Sequence, residues 1–148
     1  MLPLFKRASI RDEILRDLKT WGGRAHGSFN YLIKISRVNT LYLDLDRTPD
    51  IYNRMSRLET PGVEYSDDYT DHLKAWITLE IRLFEIEQGG ARPKVRELKE
   101  TWGVKYNELV QNILAYKKAL ARLRELEDAE WKAKGEADGD KGVSKGNA

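Results

Sequence analysis

The chain has 148 residues, 41% of them hydrophobic and 34% charged, with a formal net charge of +2 and no cysteine. That length suits one domain with a core of its own. The composition excludes disulfides, thiol catalysis and thiolate metal sites, offers no apolar run able to span a membrane, and has too little net charge to argue for nucleic acid.

Pro3, Lys6 and Arg7 leave no room for an apolar signal core, so no secretion signal is expected. Ser9 and Asp12 resemble a capping pair, and Ile10, Ile14, Leu18 and Trp21 recur on one helical face. The pattern predicts a first helix over Ser9–Trp21, ended by Gly22-Gly23. After the loop Arg24–Gly27, Ser28 is placed to cap a second helix reaching about Arg47, with Tyr31, Ile35, Val38, Tyr42 and Leu45 as its stripe. Residues 48–65 are irregular. Pro49 and Pro61-Gly62 punctuate them, and Arg54–Leu58 with Val63–Tyr65 is read as either a short hairpin or an irregular link.

Ser66–Gln88 is the central helix. Leu73, Trp76, Ile77, Leu79, Ile81, Leu83, Phe84 and Ile86 cover more than half its circumference, so neighbours are expected on several sides, with Trp76, Ile77, Leu83 and Phe84 at the centre of the fold. Ser66, Asp67 and Asp68 suit its N-terminus, and Gly89-Gly90 its other end. Pro93 opens a last helix that reaches about Lys134 and spans ~60 Å at 1.5 Å per residue, with Gly103 as a point of kinking or division. Trp102, Tyr106, Leu109, Ile113, Tyr116, Leu120 and Leu123 keep a strict seven-residue repeat that breaks at Glu127. A helix this long exceeds the width of a domain of this size, so part of it projects or packs on another chain. The lower end, around Leu120 and Leu123, is the expected surface for that contact. Tyr116, Leu120 and Leu123, with Arg122 and Arg124 beside them, are the candidate interface residues. Residues 135–148 are small, polar and Gly-rich, which predicts a flexible tail. The whole reads as a mainly helical fold: a single domain over residues 1–134, a bundle of four or five helices with a long C-terminal helix.

Nothing in this order converges on catalysis. The two histidines are His26, in a Gly-flanked loop, and His72, four residues after Asp68. An Asp–His pair at that spacing supplies two metal ligands, but no third comes with a recognisable motif, so neither a metal nor a cofactor is expected. Asp67, Asp68 and Asp71 are explained as acids at a helix start. The glycines at 22, 23 and 27 lack the Gly-Lys-Ser/Thr signature and preceding strand of a phosphate loop. The expectation is a protein that is not an enzyme. Lys117, Lys118, Arg122 and Arg124 form one basic band, and Lys6, Arg7, Arg11 and Arg16 another; basic helix faces contact phosphates nonspecifically but are more often solvated surface.

The order of elements resembles that of the small head–tail connector proteins of tailed bacteriophages, the adaptors that bind beneath the portal. The matching parts are the amphipathic Ser9–Trp21, the second helix Ser28–Arg47, the link containing Pro61, the acidic-aromatic Asp67-Asp68-Tyr69, the apolar Leu73–Ile86, and a long last helix carrying Tyr106 and Tyr116. The likeness covers about residues 9–125 and is one of layout, with no single diagnostic motif. It implies a structural virion protein at the head–tail junction, present in the host cytoplasm before assembly. Its partners would be the portal and further connector or tail proteins. It would form a homo-oligomeric ring, usually twelve-fold, whose lumen passes DNA and contacts it nonspecifically, away from any membrane.

Charge distribution is compatible with such a ring. Residues 1–58 hold 11 Lys/Arg against 6 Asp/Glu, residues 59–90 hold 2 against 8, and residues 91–127 hold 9 against 5. Alternation of this kind gives either internal pairing or two unlike faces suited to head-to-tail association. Two other classes fit the residues as well: a coiled-coil dimeric interaction or regulatory protein joined through Trp102–Leu123, and a DNA-binding packaging module using the basic bands.

Overall fold

The computed structural model describes residues 4–36, 58–88 and 100–146, with side chains for 8–35, 58–83 and 100–136. Three helices account for most of them: α1 (Leu4–Ser36), α2 (Asp67–Gln88) and α3 (Gly103–Gly146). The fold is mainly helical; the described residues contain three helices, and the expected count of four or five is not confirmed.

Gly22-Gly23 does not end a helix, so the first expected helix and the start of the second are one. α1 runs through the pair, and through Gly27 and Ser28, without interruption. Two interior glycines cost ~1 kcal/mol each relative to alanine, but tertiary packing offsets that cost. Ile14, Leu18, Gly22, Ala25, Phe29 and Leu32 recur at spacings of four, four, three, four and three and are all buried, so one stripe passes straight through the glycines. Gly22 is the point of closest approach: a Cβ there would stand 3.1 Å from two ring carbons of Tyr116 on α3. The apolar stripe therefore lies on Phe29 and Leu32, and Tyr31, expected on it, is 49% exposed. The remainder of the expected second helix, from residue 37, lies outside the described residues.

α2 follows the sequence reading closely. Ser66 caps it: its Oγ accepts from the Tyr69 backbone N–H at 3.2 Å, and its carbonyl accepts from Thr70 at 3.0 Å. Asp67 and Asp68 occupy the first turn, where negative charge complements the helix dipole. Leu73, Trp76, Ile77, Leu79 and Ile81 are buried; Leu83 is half-buried, and the Phe84 side chain and Gly89-Gly90 lie outside the described residues. Ahead of α2, no strand forms over Val63–Tyr65. A turn stands there instead: Val63 donates to the Thr60 carbonyl at 3.3 Å, with Pro61 and Gly62 between them. Gly62 has φ of 83°, a conformation in which a side chain is strained. Residues 48–57 of the expected link lie outside the described residues.

In α3 the chain bends at Trp102, and the helix opens at Gly103, where a kink or division is expected. The Pro93 start lies outside the described residues. The helix continues as far as Gly146, so the backbone over Gly135–Gly146 is helical where composition predicts a flexible tail. Helix formation is limited by nucleation, and extending an existing helix costs little per residue. Over 44 residues α3 is ~66 Å long.

Cross-helix contacts fix the arrangement. Arg11 meets Glu127, Arg122 meets Asp17, Tyr116 meets Gly22 and Asn112 meets Ser28, so α1 runs antiparallel to α3. Ser66 meets Glu127 and His72 meets Tyr116, so α2 is also antiparallel to α3. α1 and α2 are parallel to each other and approach at Phe29 and Arg82, whose guanidinium lies 5.8 Å from the ring centroid. The core is the space between the three, filled by Leu18, Leu32, Leu73, Ile77, Leu109 and Leu123 among others.

Candidate functional site

The repeat on α3 is the core seam. Tyr106, Leu109, Ile113, Tyr116, Leu120 and Leu123 are all buried within the chain, and Trp102 is half-buried. The expectation that Leu120 and Leu123 pass beyond the core is therefore corrected: they are 3% and 0% exposed. α1 lies antiparallel to α3 and its N-terminal half reaches as far as Glu130, so Leu120 and Leu123 lie within the stretch of α3 it flanks.

The five candidate interface residues consequently form no common surface. Tyr116, Leu120 and Leu123 are interior. Arg122 faces α1, with nitrogens 3.1 Å from Asp17 and 3.8 Å from Glu13, each partner about half exposed. Such exposed pairs contribute ~0–1 kcal/mol. Arg124 faces the other way and donates to the Leu58 carbonyl at 3.0 Å. Of the basic band, Lys117 and Lys118 are exposed, and Lys117 Nζ stands 5.4 Å from the centroid of the Trp76 ring.

Two polar junctions tie the helices together. At the first, Glu127 takes the next position of the seven-residue repeat and is 5% exposed. Its carboxylate accepts from Arg11 at 3.0 Å, from the Ser66 backbone N–H at 2.7 Å and from Ser66 Oγ at 2.6 Å. One side chain of α3 thus holds the start of α1 and the cap of α2. A buried carboxylate is tolerated when charge and hydrogen bonds compensate its lost hydration, as here. Arg11 also reaches Glu130 at 2.7 Å. Next to Glu127 in sequence, Asp128 accepts from Thr60 Oγ1 at 2.9 Å and from the Tyr65 hydroxyl, which anchors the turn before α2. Burial, followed by the bond to Asp128, raises the Tyr65 hydroxyl above its ordinary range.

At the second junction, His72 Nδ1 and the Tyr116 hydroxyl are 2.7 Å apart, with the rings edge to face. Gly22 completes the contact from α1. Burial pushes the Tyr116 hydroxyl up to about 12. Burial lowers the His72 pKa below its ordinary 6.5, against the opposing charges of Asp68 and Asp71. The Nδ1 that an Asp68–His72 metal pair would draw on is thus in contact with Tyr116. Among the described residues, no group of three His, Cys, Asp or Glu side chains is arranged to hold a metal ion. His26 is also lowered, by burial and then by Arg82. Among the described residues, no helix is long and apolar enough to cross a membrane.

Sequence reasoning missed both junctions. Glu127 reads there as the end of the repeat, although it stands at a repeat position, and a charge in phase with an apolar seam signals a buried, paired group. Gly22 reads as a stop, although it lies four residues after Leu18 and three before Ala25, in phase with the stripe. A third feature has no sequence signal: Trp76 is 3% exposed, and its indole Nε1–H is buried without a hydrogen-bond partner among the described residues. An unmet buried donor of this kind costs ~1–3 kcal/mol.

Comparison with protein-family models, with characterised proteins and with solved structures yields no match.

Proposed function

We propose that this protein is a head–tail connector adaptor of a tailed bacteriophage, a structural virion protein rather than an enzyme. In this reading it waits in the host cytoplasm, binds the portal at the head–tail junction, and joins further copies in a ring through which DNA passes. The ring's lower face receives the next connector or tail protein. The layout of elements supports this reading, although the first two expected helices are one in part.

The observation that carries the reading is the mismatch in length between α1 and α3. Arg11 pairs with Glu127 and Glu130, so the start of α1 at Leu4 stands opposite residues shortly beyond Glu130. α3 runs on to Gly146, which leaves a helical arm with no α1 beside it. An arm that outreaches α1 and α2 suits contact with a neighbouring subunit or a docking partner. Segregated charge adds to this: Asp67, Asp68 and Asp71 are exposed at the start of α2, and Lys117 and Lys118 on α3. Unlike faces on one subunit are what a closed heterologous ring requires.

The coiled-coil reading needs the Trp102–Leu123 stripe free for a second copy. That stripe already packs inside the chain, so nothing favours it over the adaptor. Affinity capture of the tagged chain from phage-infected cells tests the proposal. A portal protein and several copies of the chain should be recovered together. Recovery of the chain alone or as a simple dimer, without a portal, would overturn it.

A further inference from the structure

Between α2 and α3 lies an apolar cleft of about 210 Å³. Leu58, Trp76, Leu120 and Ala121 line it, and Lys117 and Arg124 supply its charge. Two observations point to a ligand. Trp76, buried at 3% exposure, forms part of the cleft wall. Lys117 stands 5.4 Å from the ring of that tryptophan, is exposed, and forms no ion pair among the described residues. Arg124 gives one nitrogen to the Leu58 carbonyl and leaves the rest of its guanidinium fork. Of the nearby acids, Asp128 is already engaged by Thr60 and Tyr65, and Glu59 is half-buried, its carboxyl raised by burial.

The site thus offers apolar walls sized for one side chain, and two cations. Its chemical complement is an apolar side chain next to a carboxylate. We propose that the cleft docks an acidic peptide segment of a partner protein. An aromatic or leucine side chain seats against Leu58, Leu120 and Ala121, and a neighbouring carboxylate pairs with Lys117 and Arg124. Nucleic acid matches less well, because phosphate has no use for the apolar walls and bases would need a wider platform than this cleft. Peptide recognition by an anchor side chain in a pocket with a charged rim is the general pattern at protein interfaces. This docking does not depend on ring formation.

The test uses the full chain, labelled with ¹⁵N, and follows the assigned indole N–H resonance of Trp76. The probes are acetyl-Glu-Phe-Glu-amide, its uncharged counterpart acetyl-Gln-Phe-Gln-amide, and oligothymidylate. The acidic peptide should shift the indole resonance and saturate, as occupation of a cleft walled by Trp76 requires. The neutral peptide should bind at least fivefold more weakly. Lys117→Glu, an exposed change, should weaken the acidic peptide by fivefold or more, and Ala121→Phe should fill the cleft and abolish the shift. Absence of a saturable shift, equal binding of the neutral peptide, or an unchanged effect in Lys117→Glu would each overturn the proposal. A shift caused by oligothymidylate and not by the peptide would assign the site to nucleic acid and overturn it equally.

Discussion

Replacing the paired glycines of α1 one at a time separates a continuous helix from two helices joined by a turn. In the continuous helix Gly23 meets nothing within 4 Å of an added Cβ, and the same holds for Gly27. Gly23→Ala should therefore gain the helix propensity of alanine, ~1 kcal/mol, with a further contribution from the less flexible unfolded chain. For a chain of this size that raises Tm by ~2–4 °C. Gly22→Ala receives the same gain but places a methyl 3.1 Å from the Tyr116 ring, tighter than ordinary contact. Tyr116 is 1% exposed and held at its hydroxyl by His72, so it has little room to retreat. Overpacking of this kind costs ~1–3 kcal/mol. Gly22→Ala should fall below Gly23→Ala by about that amount and end neutral to destabilised. Urea unfolding followed by circular dichroism measures both, provided the m-value is unchanged. If the pair instead closed a helix, one glycine would adopt a left-handed conformation, and alanine there would destabilise. A loss of ~1 kcal/mol or more in Gly23→Ala would refute the single helix.

Three further outcomes follow from the same geometry. Leu120→Asp with Leu123→Asp should unfold the isolated chain, because each places an unpaired carboxylate in the interior; a cooperatively folded double variant would return the two leucines to the surface. His72 has a lowered folded-state pKa, so the unfolded chain binds the proton more readily. Its contribution to stability should be constant above about pH 7 and decline as the pH falls below the ordinary histidine value of ~6.5. Urea midpoints between pH 7.5 and 5 should show that decline weakened in His72→Gln, and an equal decline in both proteins would exclude His72. Finally, the helix beyond residue 135 has no α1 beside it and is rich in glycine and aspartate. Its amides should exchange fast in the free chain despite the helical backbone, as fraying ends do; slow exchange there in a monomer would show that something covers it.

The parts of the fold legible in the sequence were those where local and tertiary preferences agree. α2 is such a case: the Ser66 cap, the acids of the first turn and the broad apolar face all point the same way, and the structure has each. The seven-residue stripe of α3 was also legible, but its use was not. Periodicity says that Leu120 and Leu123 face one direction; it does not say what covers them. That depends on α1 lying beside them, which no local pattern states. The length of α1 is hidden for another reason: glycine has two opposite uses. It ends helices through its conformational freedom, and it lets two helices touch by lacking a side chain. Only Tyr116, almost a hundred residues away, decides which applies at Gly22. Glu127 was obscured for a similar reason, since Arg11 and Ser66 come to it from distant parts of the chain. The Trp76 cleft is out of reach altogether, because it exists only once Leu58, α2 and α3 have packed together.

Assembly on a portal is the central claim, and native mass spectrometry tests it most directly. The purified chain would be measured alone and after mixing with the portal protein recovered from capture. The adaptor account predicts a monomer alone and, on mixing, a portal complex carrying multiple copies of the chain in a fixed ratio. A stable dimer alone, with no mass added to the portal, would contradict it.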